Sequence, residues 1–125
     1  MNPEFQSIGE AFVRHYYQLY DEGNKDALMH LYHDSALLTF EGDQKQGKPA
    51  IVEKHKSVAV KTAHAITRAD CHPMMNGGIL VAVLGQLKTE GEEKALGYTH
   101  TFVIQPEAAT FFIVNEIFQL ALHNF

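Results

Sequence analysis

The sequence predicts an α+β fold in which a cone-shaped, strongly curved antiparallel sheet wraps on three helices. Apolar residues recur at helical spacing in the first half of the chain and with period two in the second half, where turn residues separate the segments. The chain of 125 residues has the size of one domain, and no Pro-, Gly- or Ser-rich linker divides it. We therefore expect residues 1–125 to form a single domain.

Three short helices are predicted in the first half of the chain, at residues 3–19, 27–32 and 49–59. Pro3 and Pro49 suit the first turn of a helix, where a missing N–H leaves no helical hydrogen bond unmade. In the first helix, apolar residues recur at three- and four-residue steps and give one apolar face. In the third helix, we expect Ile51 and Val52 to point inward and His55 to point outward. All three helices should lie on one surface of a sheet.

Strand patterns occupy most of the remaining chain. Residues 37–40 form a short strand, and residues 45–47 return as the second arm of a small hairpin. Period-two patterns follow the third helix, interrupted by turn signals such as Asn76-Gly77-Gly78. The four long strands are predicted at residues 61–72, 79–88, 94–105 and 110–124. Their three consecutive hairpins predict an antiparallel sheet.

The distribution of apolar residues over the two sheet faces predicts a homodimer. In the last strand, a core-like face contains Phe112, Val114, Glu116, Phe118, Leu120 and Leu122, and the other face contains Ile113, Asn115, Ile117, Gln119 and Ala121. Residues 79–84 are apolar on both faces, as expected of a strand covered on both sides. Short helices cover only one side, so we expect two copies to pack sheet to sheet and to bury Ile117.

Composition excludes several classes of function. With 15 acidic and 10 basic residues, the formal charge of −5 disfavours binding to nucleic acid phosphates. Cys71 is the only cysteine, which excludes an intrachain disulfide and cysteine-based zinc sites. His30 and His33 lie beside Asp34, but no motif supplies further ligands, so we interpret them as surface residues. We expect no metal, no cofactor, no membrane segment and no secretory signal, and hence residence in the cytosol or nucleus.

Glu116 keeps an enzymatic function under consideration. A carboxylate on an apolar strand face should have its pKa raised by desolvation, and perturbed acids in pockets are common catalytic acids or bases. Tyr16, Tyr17 or His100 could supply a second catalytic group, although no motif fixes their geometry. The structural alternative is a buried acid paired with a nearby Arg, Lys or hydroxyl.

Seven segments in order along nearly the whole chain carry a specific resemblance. They are residues 15–21, 38–42, 46–48, 51–54, 64–67, 85–88 and 115–125, including HYYQLYD, LTFEG and the C-terminal run NEIFQLALHNF. Their joint order and spacing resemble the nuclear transport factor 2 family. The resemblance implies a homodimer without catalytic activity that binds the small GTPase Ran in its GDP form and the phenylalanine-glycine repeats of nucleoporins. It implies a location in cytoplasm and nucleus, concentrated at the nuclear pore.

The resemblance also implies roles for individual residues. In the family, an aromatic side chain of Ran enters the open end of the cone, and acids on its rim pair with basic residues of the GTPase. The matching Ran-binding positions are Phe40, Glu41, His64, Glu90, Glu92, Leu96 and Phe118. Phe5 matches the nucleoporin-contacting position on the first helix, and Ile117, Ala82 and Thr101 match the dimer interface.

The chain departs from the family pattern in three places. The acidic turn at residues 89–94 contains glutamates and is one residue longer, and Phe5 and Phe40 stand where many relatives have tryptophan. The segment at residues 55–61 lacks a common Leu-Pro-Phe pattern. Two alternatives stay open at this point: an isomerase- or dehydratase-type enzyme on the same fold, and an RNA-export adaptor that pairs with a different relative.

Overall fold

A computed structural model describes residues 1–58 and 61–121 and confirms the predicted fold class. A curved, open sheet of six strands packs against helices on one face. The helices are α1 (Phe5–Asp21), a 3-10 helix (Lys25–Leu31), α2 (Lys48–Lys56) and a short 3-10 turn (Met75–Gly77). The strands are β1 (Tyr32–Phe40), β2 (Asp43–Gln46), β3 (Thr62–Pro73), β4 (Ile79–Thr89), β5 (Leu96–Glu107) and β6 (Thr110–Leu120). In the described part of the chain, no helix has the length and apolar character that crossing a bilayer requires.

The strand order β2-β1-β6-β5-β4-β3 makes the sheet mixed rather than wholly antiparallel. Strands β3 to β6 form the predicted succession of antiparallel hairpins. Strand β1, however, runs parallel to β6. Strand β1 thus adds one parallel pair to the predicted antiparallel sheet, because it joins beside the last strand, a non-local pairing that local patterns do not encode.

The first hairpin is longer than predicted. The second helix is a 3-10 helix that ends at Leu31, so Tyr32 opens β1 instead of closing a helix. Glu41 and Gly42 form the turn between β1 and β2, with φ angles of 50° and 83°. Two consecutive positive φ angles are typical of the tight turns that match the twist of a hairpin. This turn places Phe40 and Glu41 at one end of the sheet.

Helix α1 packs closely on the sheet through one face, which contains Gly9, Val13, Tyr16, Tyr17 and Tyr20. A Cβ added to Gly9 would lie 2.4 Å from Sγ of Cys71 and 3.1 Å from Cγ2 of Val81. Because real Cβ atoms do not approach other atoms so closely, only glycine permits this distance between α1 and the sheet.

In helix α2, the orientation of His55 differs from the prediction. The helix ends at Lys56, and Ala59, the predicted end, lies outside the described residues. Ile51 and Val52 are buried as predicted, but His55 is also buried, with 1% exposure. The outward orientation expected of His55 was wrong because it lies four residues after Ile51 and therefore shares its helix face.

A β-bulge in β6 changes which of its residues lie on each face of the sheet. Val103 pairs with Asn115 and Ile104 pairs with Ile113, so Val114 is an extra residue on β6. The alternation of side chains inverts there, and Ile113 is buried in the core rather than on the outer face. Beyond the bulge, Glu116 and Phe118 are buried as predicted, and Ile117 is 45% exposed. The predicted end of this strand, residues 122–124, lies outside the described residues.

The outer face of the sheet is partly apolar. Ala82, Thr101 and Ile117 pair with one another in a row across β4, β5 and β6. Leu84 on the same sheet is 48% exposed. The predicted exposed apolar surface is therefore present in the single chain, and the dimer it implies stays a prediction.

Candidate functional site

A cavity of about 150 Å³ lies between α1 and the ends of the strands. Apolar and aromatic groups form almost all of its wall. The lining residues are Tyr16, Tyr20, Phe40, Val58, Thr62, His64, Leu87, Thr89, Leu96, His100, Phe118 and Leu120. The structure therefore brings together Phe40, His64, Leu96 and Phe118, the positions that the family resemblance implied for one site.

Stacked rings give the cavity a rigid aromatic wall. Phe40 and Phe118 are stacked with centroids 4.7 Å apart, which joins the ends of β1 and β6. Tyr98 stacks on Phe118 at 5.6 Å, and His100 meets the same ring edge-on at 5.2 Å. Such pairs favour these offset and edge-to-face arrangements, so the rings hold each other in place.

His64 and Asp21 form a hydrogen-bonded pair at the cavity. The His64 Nδ1–H donates to Asp21 Oδ1 at 2.6 Å, and the His64 backbone N–H donates to Oδ2 at 2.9 Å. Thr62 also donates to Oδ1 at 2.9 Å. Partial burial raises the pKa of Asp21, but these hydrogen bonds outweigh burial and leave the pKa below its usual value. Asp21 is therefore a carboxylate that fixes the orientation of the His64 ring.

Asp21 was not among the site residues expected from the sequence. The signal that could have found it is its position after Tyr16, Tyr17 and Tyr20, because the last turn of an amphipathic helix reaches the same face. The His64 side chain, expected near a partner surface, is only 5% exposed and stacks on Tyr17 with centroids 4.6 Å apart.

Acidic residues follow directly after cavity-lining residues at two strand ends. Glu41 follows Phe40, and Glu90 follows Thr89 in the turn that also contains Glu92. All three, which we call the rim acids, are exposed or half-exposed. The Glu41 N–H donates to the Phe118 carbonyl at 3.0 Å, and its carboxylate accepts a hydrogen bond from the Leu120 N–H. Glu41 therefore has a fixed position beside the Phe40 and Phe118 rings.

The turn that carries Glu90 and Glu92 is ordered by backbone contacts. The Glu90 N–H donates to the Lys61 carbonyl at 2.9 Å, and the Glu92 N–H donates to the Thr89 carbonyl at 3.0 Å. Gly91 between them has a φ of 87°, a left-handed conformation that glycine adopts without strain. Both side chains are exposed and available to a partner.

Glu116 lies in a buried cluster of tyrosines and histidines behind the cavity wall. Its Oε2 accepts hydrogen bonds from the Tyr16 hydroxyl and from His100 Nε2, each at 2.6 Å, and its Oε1 accepts one from Tyr32. His55 Nε2 lies 3.7 Å from Oε1. The Glu116 side chain has no solvent exposure. The alternative of a buried, paired acid is the one that the structure supports, with tyrosines and histidines as the partners.

The expected pKa of Glu116 was wrong in direction. Burial alone raises it, but the hydrogen bond from His100 and the charge interactions with His100 and with the nearby His55 outweigh burial and hold the pKa well below its usual range. Burial lowers the pKa of His100. A carboxylate that stays ionised and has both oxygens occupied is poorly suited to exchange protons with a molecule in the cavity.

The residues assigned to nucleoporin binding and to the dimer lie away from the cavity lining. Phe5 is the first residue of α1 and is half-buried, packed against the core. Ile117 and Ala82 are exposed on the outer face, and Thr101 between them is half-buried. Across residues 1–58 and 61–121, no three His, Cys, Asp or Glu side chains are placed to hold a metal ion.

Comparison with known proteins assigns this chain to a family. The family described as "Nuclear transport factor 2 (NTF2) domain" matches residues 8–120. A protein of Caenorhabditis elegans named "Probable nuclear transport factor 2" is 38% identical over 98% of this chain and 97% of its own length. Nuclear transport factor 2 of Emericella nidulans is 41% identical over 94% of this chain and 95% of its own.

Solved structures agree with the sequence comparisons. The structure of nuclear transport factor 2 from Cryptosporidium parvum matches with a TM-score of 0.91 and 37% identity, over 96% of this chain and 97% of that one. A putative scytalone dehydratase from Novosphingobium aromaticivorans, at 11% identity and a TM-score of 0.75, shares the fold alone. The chain belongs to the nuclear transport factor 2 family.

Proposed function

We propose that this chain is a nucleocytoplasmic transport factor that binds Ran in its GDP form and the phenylalanine-glycine repeats of nucleoporins, and that it mediates nuclear import of Ran. Its relatives are named as nuclear transport factors, which supports a role in nuclear transport. The observation that carries the finer proposal is an apolar cavity whose neighbouring strand ends bear acidic side chains.

The size and wall of the cavity suit one aromatic side chain of a protein partner. A volume of about 150 Å³ accepts a single ring, because an engineered apolar cavity of this size binds benzene. Burying one aromatic side chain contributes about 1.5 to 3 kcal/mol. Phe40 and Phe118, already stacked on each other, would flank such a ring. This contact gives the partner a defined position, and it is weak enough for the complex to dissociate.

The rim acids suit basic residues on either side of the incoming ring. Because Glu41, Glu90 and Glu92 are at least partly exposed, each ion pair contributes only about 0 to 1 kcal/mol. Their main effects are faster association and a fixed orientation of the partner. A shuttle requires such modest contacts, since it has to release its cargo.

Two further surfaces complete the proposal. Phe5, half-buried at the start of α1, contributes to a nucleoporin-repeat site. Ile117, with Ala82 and Thr101 in the same row, forms the centre of a sheet-to-sheet homodimer. Burial of exposed apolar groups such as Leu84 on this face provides the driving force for association.

A titration of Ran loaded with GDP, and then with GTP, tests the proposed function. We expect binding of the GDP form only, and we expect Glu41→Lys to weaken it at least tenfold, because a cation replaces the ordered rim carboxylate. The matched control is Glu107→Lys, which makes the same charge change at the opposite end of β5 from Leu96. Equal binding of both nucleotide forms would contradict the proposal, and equal effects of the two variants would remove Glu41 from the site.

A further inference from the structure

One ring nitrogen of His64 is left without a protein partner at the cavity. Nδ1 is hydrogen-bonded to Asp21 at 2.6 Å. Within the described part of the chain, no hydrogen bond involves Nε2 of His64. The side chain is 5% exposed and lines the cavity. A nitrogen without a protein partner thus belongs to a nearly buried ring that lines an otherwise apolar space.

The Asp21 carboxylate determines which kind of hydrogen bond this nitrogen can make. An ionised carboxylate only accepts hydrogen bonds, so Nδ1 of His64 carries the proton in the neutral ring. In that tautomer, Nε2 is an acceptor with a free lone pair. Stacking on Tyr17 at an interplanar angle of 9° holds the plane of the ring, and the hydrogen bond to Asp21 selects which edge of the ring carries Nδ1. The His64 ring therefore gives the cavity a hydrogen-bond acceptor in a fixed orientation.

We propose that the cavity binds a small phenol-like molecule, whose hydroxyl donates a hydrogen bond to Nε2 of His64. The apolar wall and the volume of about 150 Å³ select one aromatic ring, and the acceptor selects a ring that carries a donor. A ring without a donor would bury Nε2 and leave it unpaired, which is unfavourable.

This ligand site goes beyond the proposed transport function. Binding of a small phenol concerns the free chain and does not depend on Ran. If the partner ring enters the same cavity, as proposed above, the two occupants exclude each other, and a phenol-like molecule acts as a competitive regulator. That competition rests on the proposed function, whereas direct binding does not.

Phenol and toluene are the probes that test the site, because they have similar size and differ in the hydrogen-bond donor. Titrations of the full chain followed by ¹⁵N NMR of the histidine rings measure both affinity and the protonation pattern. We expect phenol to bind about tenfold more tightly than toluene. We also expect phenol, but not toluene, to shift the Nε2 resonance of His64.

Variants on β3 provide the controls. His64→Leu should remove the preference for phenol. His64→Gln should retain part of this preference, because its amide oxygen also accepts a hydrogen bond. His72→Leu, at an exposed position of the same strand, should leave the preference unchanged. Equal affinities of wild type for phenol and toluene, no binding of either, or a phenol preference that survives His64→Leu would each overturn the proposal. N-acetyltyrosinamide, titrated in parallel, distinguishes a tyrosine side chain from a free small phenol as the source of the group. A failure of Ran binding alone would leave these results untouched.

Discussion

His100 shows how one buried side chain links the site to the stability of the protein. Its Nε2–H donates to Glu116, and its Nδ1 lies 2.9 Å from the Tyr17 hydroxyl, which donates to it when the ring is neutral. The ring also stacks on Phe102 at 4.1 Å and lines the cavity. Protonation of His100 would disrupt a contact from α1 and place an additional charge in the core.

This arrangement predicts that acid destabilises the fold. The pKa of His100 is lowered by burial, so below its ordinary value of 6.5 the unfolded chain binds more protons than the folded chain, and stability falls with pH. The lowered pKa of Glu116 acts in the same direction below its ordinary value of 4.5. Urea unfolding from pH 7 to pH 4 should show a continuous loss of unfolding free energy.

Two glutamine variants separate the contributions to this pH dependence. His100→Gln should flatten the pH dependence between about pH 7 and pH 5, since glutamine does not titrate. His72→Gln, at an exposed position, should leave the curve unchanged. A wild-type stability that is constant over this range would show that His100 titrates alike in both states.

At the scale of elements, the distance between α1 and β3 depends on Gly9. Helix α1 carries tyrosines into the cavity and cluster, so its height above the sheet decides whether Tyr16 reaches Glu116. Gly9 sets that height because its missing side chain leaves room for Cys71.

Gly9→Ala is expected to destabilise the protein by about 1 to 3 kcal/mol, the usual effect of overpacking. Alanine favours the helix by up to about 1 kcal/mol, but its Cβ would lie 2.4 Å from the Cys71 sulfur. Thermal or urea unfolding measures the change. In the double variant with Cys71→Ala, most of the loss should be recovered relative to Cys71→Ala alone. A Gly9→Ala protein more stable than wild type would contradict the packing argument.

The elements differ in how far the sequence could predict them. The first two hairpins from β3 to β5 follow from glycine-containing turns, and the third follows from the turn signal at Pro106. Phe40, Leu96 and Phe118 line the cavity as the family resemblance implied. The bulge at Val114 could not be predicted, because Phe112 and Ile113 are both apolar and either could lie on the buried face. The burial of His55 was predictable from its four-residue spacing to Ile51, but the polar ring led to the prediction that it points outward. The Asp21 partner of His64 depends on a contact between distant segments.

At the scale of the whole molecule, the outer face of the sheet is the surface on which the proposed dimer would form. Ile117, 45% exposed, lies in a row with Thr101 and Ala82 and on the same sheet as the exposed Leu84. At its β3 end the row reaches Asp70, which pairs with Ala82, whereas its centre is uncharged, as the cores of interfaces tend to be.

Ile117→Glu should convert the proposed dimer into a monomer, because it places a carboxylate at the centre of an apolar contact. Sedimentation velocity measures the outcome. Met75→Glu is the matched control, since Met75 is an 80% exposed apolar residue in a turn, and this variant should stay dimeric. A dimeric Ile117→Glu would contradict the proposed packing. A wild-type chain that is monomeric until a second polypeptide is added would support the heterodimeric adaptor instead.

The backbone conformation of Glu41 lowers the stability of the fold at a residue proposed to contact a partner. A φ of 50° is a conformation that glycine or asparagine adopts more readily, and most other residues pay roughly 1 to 2 kcal/mol for it. Laboratory selection for heat resistance alone would therefore favour replacing this acid. The selected variants would be more stable proteins that lack one of the acids proposed to orient a basic partner.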